Sequence, residues 1–319
     1  MKATTKIMLG AAAVIGGVAA SVALNKALDN LVNTNLGRDG VQHPKTKLMN
    51  KKNQEDFANS PEAILGQLFY ASTPQINITI PNREGRHINA LLYKKDGEES
   101  KYAIVVHGYR STTKAVSYLA RRYFEAGYNV LVPYLRAHHG SDYEYCTMGW
   151  HERFDIIDWI NYIDSKATDA KIVLHGVSMG AATVMMTTGE SLPSCVVGAV
   201  EDCGYTSVFD AYTYKIPKMM KLPAFPSVDI FRRAIMKRVG FDIKEASALA
   251  QVRKSCTPTL FIHGQCDTVV PVSMAYELYE NAACKKDILI FNDAEHTMCP
   301  ILHPDEYWGK VFEFIEKYR

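Results

Sequence analysis

The chain has 319 residues, 47% of them hydrophobic and 22% charged, with a formal net charge of +2. That composition is globular and the length suffices for one large domain with a full core, which excludes a disordered or fibrous chain. The near-neutral balance implies no polyanionic partner, so nucleic acid is not expected.

At the N-terminus, Lys2 and Lys6 precede an almost uncharged run from Ile7 to Leu24. Residues 1–24 therefore read as a signal peptide or signal anchor, near the minimum length for a span. Ser21-Val22-Ala23 is an ambiguous cleavage site. The expectation is a retained, single-pass anchor in the cell membrane with an exported catalytic domain; secretion after cleavage is the alternative. Residues 25–69 are rich in Lys and Asn and read as a polar tether or loosely packed arm.

The rest, residues 70–319, reads as one α/β domain. Ile76–Ile80 alternates, a turn follows at Pro81–Gly85, and His87–Tyr93 alternates again, which predicts an antiparallel hairpin. Six short apolar runs follow: Ala103–Val106, Val130–Val132, Ile172–Leu174, Val196–Val200, Thr259–Ile262 and Ile288–Phe291. They are continuous, not alternating, as in strands buried on both faces of a parallel sheet. Helical patterns between them, among them Ser117–Ala126, Glu152–Ile163, Ser273–Ala283 and Asp305–Tyr318, predict helices on both sides. The interval from Tyr205 to Gln251 is too long for an ordinary connection. It reads as a helical insertion, either a pair extending the core or, as preferred here, a cap over the active site.

Gly176-Val177-Ser178-Met179-Gly180 follows one of these strands and opens a helical pattern. Strand, sharp turn and helix is the setting in which Gly-x-Ser-x-Gly projects a serine hydroxyl above the sheet edge. A serine needs a base and an orienting carboxylate to act as a nucleophile, here in the order Ser, acid, His. Asp267 and His296 each follow a strand in that order. Glu201 and Asp202 are rival acids, and His263 and His175 are histidines at strand ends read as structural. Asp293 and Glu295 lie too near His296 in sequence to be preferred. The oxyanion donors expected are the backbone N–H of Met179 and, after the first central strand in His107-Gly108-Tyr109, that of Tyr109. The seven cysteines, Cys146, Cys195, Cys203, Cys256, Cys266, Cys284 and Cys299, show no CxxC pair. No metal spacing or complete disulfide framework is expected, and the thiols read as mostly reduced.

These ordered motifs resemble the α/β-hydrolase superfamily from about residue 70 to the end. Within it the chain is similar to the bacterial serine-hydrolase branch of serine aminopeptidases and cinnamoyl-type esterases. Two further stretches carry that resemblance, Arg136-Ala137-His138-His139-Gly140-Ser141 and Met148-Gly149-Trp150 with Asp155. His139 stands where that branch has Gly, and Tyr134 where it often has Asp. The resemblance implies a mostly parallel central sheet flanked by helices, with a Ser178–His296–Asp267 triad and no metal or organic cofactor. Many members of the branch carry an anchoring or export segment. A carboxylic ester is the expected substrate, and aromatic and Met residues in the insertion favour an apolar or aromatic group. A peptidase or amidase with the same triad is the second reading, and a noncatalytic anchored binding protein the third.

Overall fold

A computed structural model describes residues 51–221 and 223–318. The Ile7–Leu24 run and the first part of the expected tether lie outside them. No helix among the described residues is long and apolar enough to cross a membrane.

The strands are β1 (Ile76–Pro81), β2 (His87–Tyr93), β3 (Lys101–Val106), β4 (Asn129–Pro133), β5 (Lys171–Val177), β6 (Val196–Asp202), β7 (Thr259–Gly264) and β8 (Lys286–Phe291). They form one sheet in the order β1-β2-β4-β3-β5-β6-β7-β8. β1 and β2 pair antiparallel, as do β2 and β4. From β4 to β8 the pairs are parallel. This is the α/β-hydrolase fold that the sequence predicts, and the hairpin forms its antiparallel edge.

β3 shows why the apolar runs are continuous. Successive side chains point to opposite faces. Ala103 and Val105 enter one buried core and Ile104 and Val106 the other. On the first face lie α3 (Ser117–Glu125) and α11 (Pro304–Tyr318), through Leu119, Tyr123, Tyr307 and Trp308. On the second lie α4 (Glu152–Lys166) and α5 (Met179–Thr188), through Trp159, Ile160, Ala182 and Met186.

The expected tether is corrected from Lys51 onward, where two helices form, α1 (Lys51–Asn59) and α2 (Pro61–Ser72). The local signals are a helix start: Ser60 Oγ accepts the Ala63 N–H at 3.2 Å, and Pro61 takes the first helical position. A long-range contact then holds α2. Glu62 is buried and accepts from Arg121 Nη2 at 2.8 Å and from Arg122 Nε at 3.0 Å, both on α3. The Arg121 and Glu62 side chains are only 8% and 5% exposed. Glu62→Ala would leave Arg121 charged and buried opposite nothing but the exposed Glu125. Urea unfolding is expected to show a loss of about 3 kcal/mol, the cost of opening a buried pair.

Between β6 and β7 run α6 (Val208–Met220), α7 (Ala224–Val239) and α8 (Ala248–Val252). Val208, Tyr212 and Ile216 of α6 and Val228, Phe231 and Ile235 of α7 are buried in the same core as Met179. The insertion is thus a helix pair whose inner face continues the main core.

Candidate active site

β5 ends at Val177 and α5 begins at Met179. Ser178 between them has φ 57° and ψ −119°, a backbone conformation that costs a non-glycine residue energy. The neighbouring glycines are what allow it. A Cβ at Gly176 would stand 2.1 Å from the Gly180 carbonyl oxygen, and one at Gly180 would stand 2.0 Å from that of Val106. The Ser178 N–H is held by the Asp202 carbonyl on β6 at 2.7 Å. The elbow is therefore braced by both flanking strands.

From this elbow Ser178 Oγ lies 2.8 Å from His296 Nε2. His296 Nδ1 lies 2.6 Å from Asp267 Oδ2. The residues come from the ends of three strands, β5, β7 and β8, as the sequence predicts. Asp267 Oδ1 accepts the N–H groups of Val269 and Val270, each at 2.8 Å. With Oδ1 held by two backbone donors, Oδ2 is left to the imidazole, so the carboxylate has one orientation. Burial pushes its pKa up, but the charges and hydrogen bonds of His296 and His263 outweigh that and hold it well below the usual carboxylate range.

The rival groups take other roles. Asp202 Oδ2 accepts the Tyr307 hydroxyl at 2.9 Å. Tyr307 in turn lies 3.0 Å from His175 Nε2, and the Tyr123 hydroxyl 2.9 Å from His175 Nδ1. His175 is thus a core histidine held between two tyrosines, and burial pushes its pKa down to about 3. Asp293 pairs with His303 at 2.6 Å. His263 Nε2 donates to the Val270 carbonyl at 2.9 Å, the backbone role the sequence suggests. It also lies 3.3 Å from Asp267 Oδ2, which the sequence does not reveal. Its position in a His-Gly-x-x-Asp turn is the signal that could have found it, because the turn brings His263 back over Asp267.

Glu201 is buried beside this group, with Oε2 accepting the Gly204 N–H at 3.0 Å. Burial lifts its carboxyl from an ordinary 4.5 to about 8, against the opposing charge of His263. The unfolded chain releases this proton near its ordinary pKa while the folded chain keeps it. Stability from this group is therefore full below the unfolded value and is lost as pH rises through the folded one. Glu201→Gln removes the titration. Its stability relative to wild type, read from the thermal midpoint, is expected to rise as pH passes from below 4.5 to above 8, by up to about 5 kcal/mol. A pH-independent difference would contradict this.

Of the two N–H groups expected as oxyanion donors, that of Met179 directly follows Ser178 in the chain. Met179 is the first residue of α5, so its N–H has no partner within the helix and stands at the positive end of the dipole. Gly108, before Tyr109, packs on the serine: a Cβ there would lie 3.3 Å from Ser178 Cβ. Two histidines support this loop, and sequence reasoning missed their function. The Arg110 N–H donates to His138 Nε2 at 3.0 Å, and His138 Nδ1 lies 2.8 Å from the Arg136 carbonyl. His107 Nδ1 lies 2.9 Å from the Gly108 carbonyl. Burial pushes their pKa values down to about 3 for His138 and about 4 for His107. Both stay neutral, with Nδ1 as donor. Arg136 is clamped on Asp155 at 2.7 and 2.8 Å, which ties the loop to α4. The two departures from the branch pattern, Tyr134 and His139, meet edge-on with ring centroids 6.4 Å apart.

All seven cysteines are free. Cys203, Asp267 and His296 offer donor atoms within 4.8 Å of one another. Asp267 and His296 already bond each other there, and burial pushes the Cys203 thiol well up, which disfavours the thiolate a metal takes.

Sheet order, strand–elbow–helix and the post-strand positions of these side chains define an α/β hydrolase of the serine type. The chain belongs to the prolyl oligopeptidase family, whose model matches residues 114–318. It is 27% identical over 215 residues to the uncharacterized protein YqkD of Bacillus subtilis (strain 168), covering 67% of this chain and 70% of that one. The esterase Pf2001 of Pyrococcus furiosus superposes with a TM-score of 0.62 at 23% identity, over 77% of this chain and 94% of that chain. The acylaminoacyl peptidase of Pyrococcus horikoshii superposes with a TM-score of 0.58 at 16% identity, over 79% of this chain but 43% of that chain. The protein is a serine hydrolase.

Proposed function

We propose that this hydrolase cleaves carboxylic esters through an acyl-enzyme, with Ser178 as nucleophile, His296 as general base and then acid, and Asp267 as the orienting carboxylate. One observation carries the reading: the hydrogen-bonded line Ser178 Oγ, His296 Nε2, His296 Nδ1, Asp267 Oδ2, at 2.8 and 2.6 Å, built on a strained elbow. His296 takes the serine proton as Oγ attacks the acyl carbon. The N–H groups of Met179 and Tyr109 receive the oxyanion. His296 then protonates the departing alcohol, and water repeats the cycle on the acyl-enzyme.

Met179, next to the nucleophile, and the partly buried Tyr109 pack in the same apolar and aromatic core as buried Met148, Tyr205 and Tyr212. They support an ester with an apolar or aromatic group and a cap role for residues 205–251. The second reading, amide or peptide cleavage, is favoured by the family and by the peptidase among the structural neighbours. Parallel assays with p-nitrophenyl esters of increasing chain length and aminoacyl-p-nitroanilides decide between them. A higher kcat/KM on every anilide than on any ester would sink the ester reading. Anchoring of an exported domain by Ile7–Leu24 belongs to the same proposal. Membrane fractionation with N-terminal sequencing tests it, and a mature N-terminus near Leu24 would mean cleavage and secretion.

A further inference from the structure

The helix pair α6 and α7 carries an outer face that the site does not use. Residues 208–239 hold seven Lys or Arg and two Asp, a net charge of +5 in a chain whose total is +2. The remainder of the chain is therefore net acidic, although residues 1–54, with eight Lys or Arg and two Asp, form a second basic stretch. Along α7, helical spacing puts Val228, Phe231 and Ile235 on the buried stripe. The same spacing puts Pro226, Ile230, Arg233 and Lys237 on the opposite stripe, and all four are exposed. Phe225 is 78% exposed, Ile230 45% and Met236 47%. Arg232 is paired with the Asp242 carboxylate. Arg233 and Lys237 have no such partner among the described residues. Lys218 and Lys221 are also exposed nearby.

Large apolar side chains held in water beside long basic ones match the boundary of an anionic bilayer. The apolar tips enter the headgroup–acyl region while lysine and arginine reach the phosphates. We infer that the outer face of α7, with Lys218 and Lys221, docks on an anionic phospholipid surface. Charge decides against pairing with the same face of a second copy, because two such faces brought together would oppose like charges. The exposed Phe225, Ile230 and Met236 favour a lipid surface over a purely acidic polypeptide, which would satisfy the cations and leave the apolar tips wet. This docking does not depend on which bond the enzyme cleaves.

The test is amide hydrogen exchange of the full-length Ser178→Ala protein, which cannot consume lipid by the proposed chemistry. Exchange is followed with phosphatidylcholine vesicles and with vesicles containing phosphatidylglycerol. Slowed exchange is expected in peptides covering 218–239 with phosphatidylglycerol only, and it should fade at high salt. Because the readout is local, binding by the N-terminal segment does not obscure it. Arg233→Glu with Lys237→Glu, and separately Phe225→Ser, should each raise the lipid concentration needed by at least tenfold at an unchanged unfolding midpoint. If a variant unfolds, Arg233→Gln replaces it. Vesicle-bound protein with no protection at 218–239 would overturn the inference. So would protection that grows with protein concentration in the absence of lipid, which would assign the face to a second copy. Equal protection by polyglutamate would assign it to an acidic protein.

Discussion

Ser178→Ala is expected to lower kcat on an activated ester by on the order of 10⁶-fold, with little change in KM, and to abolish labelling by a fluorophosphonate probe. The loss is large because no neighbouring group can substitute. The elbow is a single backbone position at φ 57°, and Gly108, Val106 and the Asp202 carbonyl pack around it. Removing one oxygen leaves the proposed oxyanion N–H groups in place, so some acceleration over water remains. The fold should be unaffected, since Ala is no larger than Ser and the backbone bonds of the elbow persist. Unchanged labelling in Ser178→Ala would refute the assignment, and no labelling of the wild type at neutral pH would favour the noncatalytic reading.

Asp267→Asn should lower kcat by about 10⁴-fold, the scale found where an orienting carboxylate is made an amide. The reason is specific to this site. Oδ1 is held by the N–H groups of Val269 and Val270. The amide oxygen of an Asn stays on those donors, so its NH₂ turns to His296. That ring must then accept at Nδ1 and carry its proton on Nε2, the atom that faces Ser178 at 2.8 Å. A base already protonated there cannot take the serine proton. His263, whose Nε2–H also faces the Oδ2 position, opposes this orientation only weakly because the Val270 carbonyl remains its acceptor. The expected signature is a fall in kcat with KM nearly unchanged. A loss of only a few-fold would point to Asp202 as the working acid, although its Oδ2 is engaged by Tyr307.

Residues 51–72 are where the sequence misleads most. Lys and Asn dominate up to residue 53, and the exposed Ile64, Leu65 and Leu68 blur the helical period of α2. What secures that helix is Glu62 under Arg121 and Arg122, roughly sixty residues away in the chain, a contact no local window contains. The strands were legible because burial on both faces gives unbroken apolar runs such as Ala103–Val106. Their ends were less so: β5 continues past Leu174 to Val177, through His175 and Gly176, whose polarity or missing side chain hides the strand.

Sequence alone determined the chain order of sheet, elbow, acid and histidine, because each rests on local periodicity and on glycines needed within five residues of one another. It therefore also named Ser178, Asp267, His296, Met179 and Tyr109. Tertiary structure decided which of several equivalent-looking groups touch. Asp202 turns to Tyr307, His175 sits between two tyrosines, His263 leans on Asp267, and His138 holds the loop after β3. Hydrogen bonds are made over about 3 Å between side chains a hundred residues apart. Only the packing of the sheet and its helices sets those distances.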